Sequence, residues 1–131
     1  MRGSFEATHR LHGDFGLATL PHGHAYQVEA AVRGPEIGAD GTLVDVGVLQ
    51  RLLEGALMPL HTQDLDALGV FRGENTTAEV VARYLFAGLR TALLRDPGPG
   101  IARVASLRVT VWESPVMFAT YEGLLHEPGR A

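Results

Sequence analysis

Cysteine is missing from this sequence, and so is lysine. The first absence excludes a disulfide framework, a thiolate metal site and a cysteine nucleophile. The second leaves arginine as the only cationic side chain besides histidine, which reads as genome composition rather than chemistry. Positive charge is also in deficit: 11 arginines against 15 acidic residues give a formal net charge of −4, which argues against nucleic acid as a partner. Long hydrophobic runs are lacking too. No stretch of about 20 apolar residues marks a membrane span, and no charged start followed by an apolar core marks a signal peptide. No membrane partner is therefore expected, and cytoplasm is the expected location. What remains is a 131-residue chain, 46% hydrophobic. That is ordinary for a globular protein and is expected to form one domain, residues 1–131, with a real core.

Three of the histidines can meet. His22 and His24 lie two apart in a stretch that alternates as a strand, so they project from one face with Tyr26, Val28, Ala30 and Val32. The preceding segment alternates as well, with Phe5, Ala7, His9 and Leu11 on one face. A hairpin loop of about ten residues, joining these two strands, would place Leu11 near His22 and His9 opposite His24. Directly paired residues have Cβ atoms roughly 4.5–5.5 Å apart. Three imidazoles so placed can close on one zinc at roughly 2.0–2.1 Å and leave a fourth position open, the arrangement of catalytic zinc. A histidine on a half-buried strand is also, in the ordinary case, just a hydrogen-bonded residue, and His-x-His is a short motif. The third histidine is what turns the pair into a candidate centre. His12, His61 and His126 show no such convergence, and His126 falls in a tail expected to fray.

The remaining pattern reads strand, strand, helix, helix, strand, strand. Gly34, Pro35, Gly38, Asp40 and Gly41 mark a loop after the second strand. Asp45 can cap a helix whose apolar stripe is Leu49, Leu52, Leu53, Ala56 and Leu57. Thr76-Thr77-Ala78-Glu79 fits a capping box, followed by Val80, Val81, Tyr84, Leu85, Leu89 and Leu93 on one broad side. Asp96-Pro97-Gly98-Pro99-Gly100 breaks the chain. A third strand carries Leu107, Val109, Val111 and Glu113 on one face, and Ser114-Pro115 turns it into a fourth through Met117, Ala119 and Tyr121. The expected fold class is α+β: a four-stranded antiparallel sheet with two helices on one face. Its free edges need covering, and pairing between subunits is one solution.

These segments, taken in order, resemble the 6-pyruvoyl-tetrahydropterin synthase and 6-carboxy-tetrahydropterin synthase family. Phe5-Glu6-Ala7-Thr8-His9-Arg10-Leu11 resembles the family's first strand, which ends in a zinc histidine. His22-Gly23-His24-Ala25-Tyr26 resembles its HGHxY motif, with the other two zinc ligands. Gly41-Thr42-Leu43-Val44-Asp45 resembles the G-x-x-x-D segment that opens the first helix. Thr77-Ala78-Glu79 resembles the T-x-E helix start, and Val111-Trp112-Glu113 with Tyr121 resembles the closing strands, where a glutamate anchors the pterin. The resemblance implies the tunnelling fold (ββααββ), with subunits assembled into a β-barrel, often as a homohexamer, and active sites between subunits. It implies zinc on His9, His22 and His24 and a pterin-like ligand on Glu113. A 2-amino-4-oxopteridine presents two adjacent N–H donors, and one carboxylate accepts both in a charge-assisted bidentate contact. The other reading of Glu113 is an exposed residue before a turn. Thr77 is expected either to supplement the ligand contact or simply to cap its helix.

The chain also departs from the family pattern. The cysteine commonly four residues before the first histidine of HGH is Ala18 here. The family's Asp-His pair, in a segment resembling L-D-H-x-x-L-N, falls on His61-Thr62 in the ungapped match Leu60-His61-Thr62-Gln63-Asp64-Leu65-Asp66. A one-residue gap keeps His61 as the histidine and puts Leu60 at the aspartate. Alanine and threonine cannot replace titrating groups near neutral pH, and an oriented proton-transfer group contributes typically about 10²–10⁴-fold. Standard synthase activity is therefore expected to be absent or very slow. Zinc then stays an open expectation, with a hydrogen-bonded histidine cluster around water as its alternative. Two functional classes follow. One is a pterin-binding protein without turnover. The other is a zinc-dependent lyase or cyclase of altered chemistry, with His61 as acid or base or a zinc-bound water as nucleophile. A purely structural oligomer is the third possibility. Asp64 and Asp66 read as loop or turn residues.

Overall fold

The computed structural model describes residues 1–95 and 98–126. Strands β1 (Arg2–His9) and β2 (His22–Arg33) form an antiparallel hairpin. Helix α1 (Val46–Leu57) follows, then a two-residue strand β3 (Gln63–Asp64), helix α2 (Ala78–Arg95), and strands β4 (Ser106–Trp112) and β5 (Phe118–Leu124). The sheet order is β3-β1-β2-β4-β5, antiparallel except for β3, which runs parallel to β1. The expected α+β arrangement is present with one strand more than the four expected. A two-residue strand has no periodicity to read, and it exists only because Ala7 and Thr8 offer it a partner at the sheet edge.

Period-two alternation decides which face is buried. Phe5, Ala7, Tyr26, Val28, Ala30, Leu107, Val109 and Val111 point inward. Leu49, Leu53 and Leu57 of α1 and Val81, Leu85, Leu89 and Leu93 of α2 close over them. The Asp45 carboxylate caps α1 by accepting from the Gly47 and Val48 amides. At the start of α2 the cap is Thr77, not Thr76: the Thr77 hydroxyl accepts the Val80 N–H at 3.2 Å. Thr76 has turned inward and is fully buried. The sequence break expected at Asp96–Gly100 lies partly outside the described residues, and α2 is described to Arg95.

The hairpin register differs from the expected one by two residues. His9 stands opposite His22, and Ala7 opposite His24. β1 stops at His9, because Leu11 has left the ladder and donates its N–H to the Ala18 carbonyl at 2.8 Å. The connecting loop is therefore longer than expected and carries its own 3₁₀ turn at Gly16–Thr19. A two-residue shift preserves the face of every side chain, so the histidines still point the same way. His126 does not fray: its Nε2 lies 3.1 Å from the Ile101 carbonyl oxygen. Among the described residues no helix is long and apolar enough to cross a membrane.

Candidate functional site

The end of the β1–β2 hairpin brings His9, His22 and His24 together. His9 and His22 face each other across the ladder, and His24 follows two residues along β2 on the same face. Ring centroids are 4.5 Å apart for His9–His22, 5.0 Å for His9–His24 and 4.8 Å for His22–His24, all edge-on. One nitrogen from each ring lies within 4.8 Å of the other two. His9 is only 2% exposed, while His22 and His24 are half-buried.

Hydrogen bonds at the other ring nitrogens fix two of the three rings. His22 Nδ1 lies 2.8 Å from the Leu20 carbonyl oxygen, and His9 Nδ1 lies 2.7 Å from that of Thr76. A carbonyl only accepts, so each Nδ1 carries a proton, and the neutral tautomer this selects leaves the Nε2 lone pair free for a metal. The Nε2 atoms of His9 and His24 are buried with no hydrogen-bond partner among the described residues. Burial, then the neighbouring His9 and His22, hold the His24 pKa below its ordinary value, and a backbone hydrogen bond at Glu113 opposes them. Neutral imidazoles with unpartnered, converging lone pairs and carbonyl-fixed tautomers are what a metal requires. The donor set fits a zinc-type ion.

Glu113 shares this site. Its Oε2 lies 3.8 Å from His24 Nε2, and both side chains are mostly buried. It sits one residue past β4, where its N–H donates to the Met117 carbonyl to start the tight turn into β5. A cleft of about 730 Å³ is lined by His24, Glu113, Gln27, Trp112, Ser114 and Arg2, among others. Tyr26 packs beneath, 5.3 Å from His24 and stacked on Phe5 at 4.6 Å. Burial, then the charges of Glu113 and Asp66, drive its phenol pKa well above the ordinary value.

The other sequence candidates do not line the cleft of His24 and Glu113, although Thr62 lines a neighbouring one with His24. His61 lines a separate cleft with Arg2, Gly3, Ser4, Glu54, Leu57 and Met58. Its Nδ1 accepts the Glu6 N–H at 3.1 Å. Thr62 has a φ of 61°, rare for a β-branched residue. Its N–H donates to the Glu6 carbonyl and its hydroxyl to the His61 carbonyl. Ala18 sits in the 3₁₀ turn of the hairpin loop. The Thr77 hydroxyl is occupied as the α2 cap.

Sequence reading missed Thr76 and Asp66. The Thr76 carbonyl and hydroxyl both approach His9 Nδ1, and the hydroxyl donates to Asp66 Oδ1 at 3.0 Å. Asp66 Oδ2 accepts the Arg10 N–H at 2.8 Å. Asp66 lies within a short 3₁₀ turn, Leu65–Ala67, far from residue 9 in the chain, and nothing in its neighbours along the sequence signals the contact.

The sequence profile of the family described as 6-pyruvoyl tetrahydropterin synthase matches residues 1–124. The 6-pyruvoyl tetrahydrobiopterin synthase of Homo sapiens is 33% identical over 104 residues, covering 69% of this chain and 72% of that protein. The Drosophila melanogaster protein of the same name is 29% identical over 136 residues, covering 93% and 77%. In three dimensions, the 6-pyruvoyl tetrahydropterin synthase of Caenorhabditis elegans superposes with a TM-score of 0.79 at 27% identity, covering 94% of this chain and 92% of that one. The match therefore extends over the hairpin that carries the histidines and the strands that carry Glu113, and the chain belongs to the 6-pyruvoyl tetrahydropterin synthase family.

Proposed function

We propose that this protein binds a pterin-like bicycle through Glu113, beside zinc held by His9, His22 and His24, and that standard synthase turnover is absent or much reduced. The observation that carries the binding half is the 3.8 Å approach of the Glu113 carboxylate to His24 in a shared cleft. A carboxylate there accepts two adjacent ring N–H groups while the edge of the bicycle approaches the histidines. His9, His22 and His24 would hold the zinc through Nε2, and it would supply Lewis-acid polarisation of a ligand oxygen.

The loss of turnover rests on which proton carriers are present. Ala18 holds no proton to transfer. Thr62 spends its hydroxyl on the adjacent carbonyl. The His61 ring is tied by Nδ1 to the Glu6 backbone and faces another cleft. Tyr26 keeps its proton throughout the neutral range. A second reading, a lyase or cyclase of altered chemistry, draws on the same His61: with Nδ1 accepting, its Nε2 carries a proton on a ring of fixed orientation. We assign the ligand site to an assembly of identical subunits, a homohexamer. Support comes from the outer edge of β5, where Phe118, Tyr121 and Leu124 are exposed and no strand pairs among the described residues.

The test is a thermal-shift screen of zinc-loaded protein with pterins and purines, followed by Glu113→Ala and mass spectrometry of the incubated ligand. Pterin stabilisation that disappears in Glu113→Ala, with no product, is the expected result. Enzyme-like conversion of dihydroneopterin triphosphate removes the claim of lost turnover, and a new product favours the second reading. Binding of less than about a tenth of an equivalent of zinc after loading rejects the metal, since three converging ligands should retain it.

A further inference from the structure

We infer that Asp66 is a positioning residue for the histidine centre: acting through Thr76, it fixes the tautomer and place of the His9 ring, so that Nε2 is presented to the metal. The inference rests on the metal reading above and goes beyond it, because Asp66 touches none of the three histidines directly.

Two oxygens of Thr76 approach His9 Nδ1, the carbonyl at 2.7 Å and the hydroxyl at 3.3 Å. The carbonyl can only accept. The hydroxyl has a single proton, and it is given to Asp66 Oδ1 at 3.0 Å. Both oxygens therefore present lone pairs to Nδ1, which must hold the ring proton. The carbonyl alone already favours Nδ1–H; without the carboxylate, the hydroxyl proton is free to turn towards Nδ1 and compete with it, which weakens the hold on the tautomer that leaves Nε2 to the ion.

The second Asp66 oxygen acts on the backbone. It accepts the N–H of Arg10, the residue after His9, at 2.8 Å. One carboxylate thus ties the end of β1 to the residue before the α2 cap. His9 Nε2 is buried with no partner among the described residues and Thr76 is fully buried, so water does not compete at the His9–Thr76 contacts, whereas the Asp66–Arg10 contact is exposed. Outer-shell partners of this kind are worth about 10–100-fold in metal affinity.

Asp66→Asn is the informative substitution. An amide keeps the size, but one of its two ends must be a donor. If the NH₂ faces Arg10, two donors oppose; if it faces Thr76, it donates to the hydroxyl and releases that hydroxyl's proton towards His9. Thr76→Val removes the hydroxyl at nearly constant volume, and Thr76→Ser restores it.

The experiment measures zinc affinity by competition with a chromophoric chelator, and His9 ring-nitrogen shifts by NMR in metal-free protein. Wild type is expected to show Nδ1–H at His9. Asp66→Asn and Thr76→Val are expected to bind zinc about 10–100-fold more weakly, with mixed His9 tautomers in Asp66→Asn, while Thr76→Ser stays close to wild type. Affinity and tautomer unchanged in both Asp66→Asn and Thr76→Val overturn the inference and leave Asp66 as a loop clamp. If Asp66→Asn fails to fold, the Thr76→Val and Thr76→Ser pair decides in the same way. A wild type that takes up no zinc defeats the metal reading alone, and the metal-free tautomer then decides the role of Asp66.

Discussion

The Tyr26 hydroxyl is buried with no hydrogen-bond partner among the described residues. An unmet buried hydroxyl costs about 1–3 kcal/mol. Tyr26→Phe is therefore expected to leave stability unchanged or to raise it slightly in denaturant melts; a loss of more than about 1 kcal/mol would show that the hydroxyl has a bonded partner, such as an ordered water. The phenol also makes a pH prediction. Its pKa is raised in the folded state by burial, then by Glu113 and Asp66, above the ordinary 10.0. Below pH 10.0 both folded and unfolded chains hold this proton, so the group costs nothing. Above it, the unfolded chain ionises first, and stability falls as pH rises towards the folded value. The alkaline limb of a melting-temperature profile should be steeper in wild type than in Tyr26→Phe. Parallel limbs would contradict the assignment. At this scale the sequence was legible where period-two alternation operates: it aligned His9, His22, His24 and Tyr26 on one face. It was silent on Asp66 and Thr76, because their contacts with the hairpin close across 56 and 67 residues of chain.

Helix α2 shows how an element's terminus divides its labour. Thr76 turns inward to the histidines, and Thr77 caps the helix. Thr77→Ala is expected to cost about 1 kcal/mol of stability. Aspartate caps as well as threonine but replaces a neutral hydroxyl with a carboxylate. If Thr77 also touches the ligand, Thr77→Asp should keep the melting temperature of the free protein and shrink the pterin-induced shift. An unchanged shift leaves Thr77 with the cap alone. The helices were readable from their stripes and their caps, although the capping pattern allowed either threonine. The hairpin register was not readable to better than two residues, because alternation fixes the face and leaves the pairing to the loop. The loop's internal bond from Leu11 to Ala18 decided it. β3 had no pattern at all.

At the scale of the whole molecule, the two sheet edges differ. β3 covers β1 at Ala7 and Thr8, whereas β5 ends the sheet with Val116, Met117, Phe118 and Leu124 exposed beside it. Long apolar edges invite pairing with another chain. Sedimentation velocity is expected to find a multimer, and Phe118→Lys with Leu124→Lys to shift it towards smaller species; a wild type that sediments as a monomer would defeat the assembly reading. The order of strands and helices was legible in the sequence, but the identity of the open edge followed only from the pairing of β3 with β1.

His9 lies at the back of the histidine cluster, nearly sealed, with His22 and His24 towards the opening. A metal held as proposed would therefore exchange from one side only. A cation would meet the two β2 rings before the β1 ring, and a chelator stripping the centre would reach the same two rings first. Truncating His22 should speed both loading and release, whereas loosening the anchor behind His9 should speed release alone.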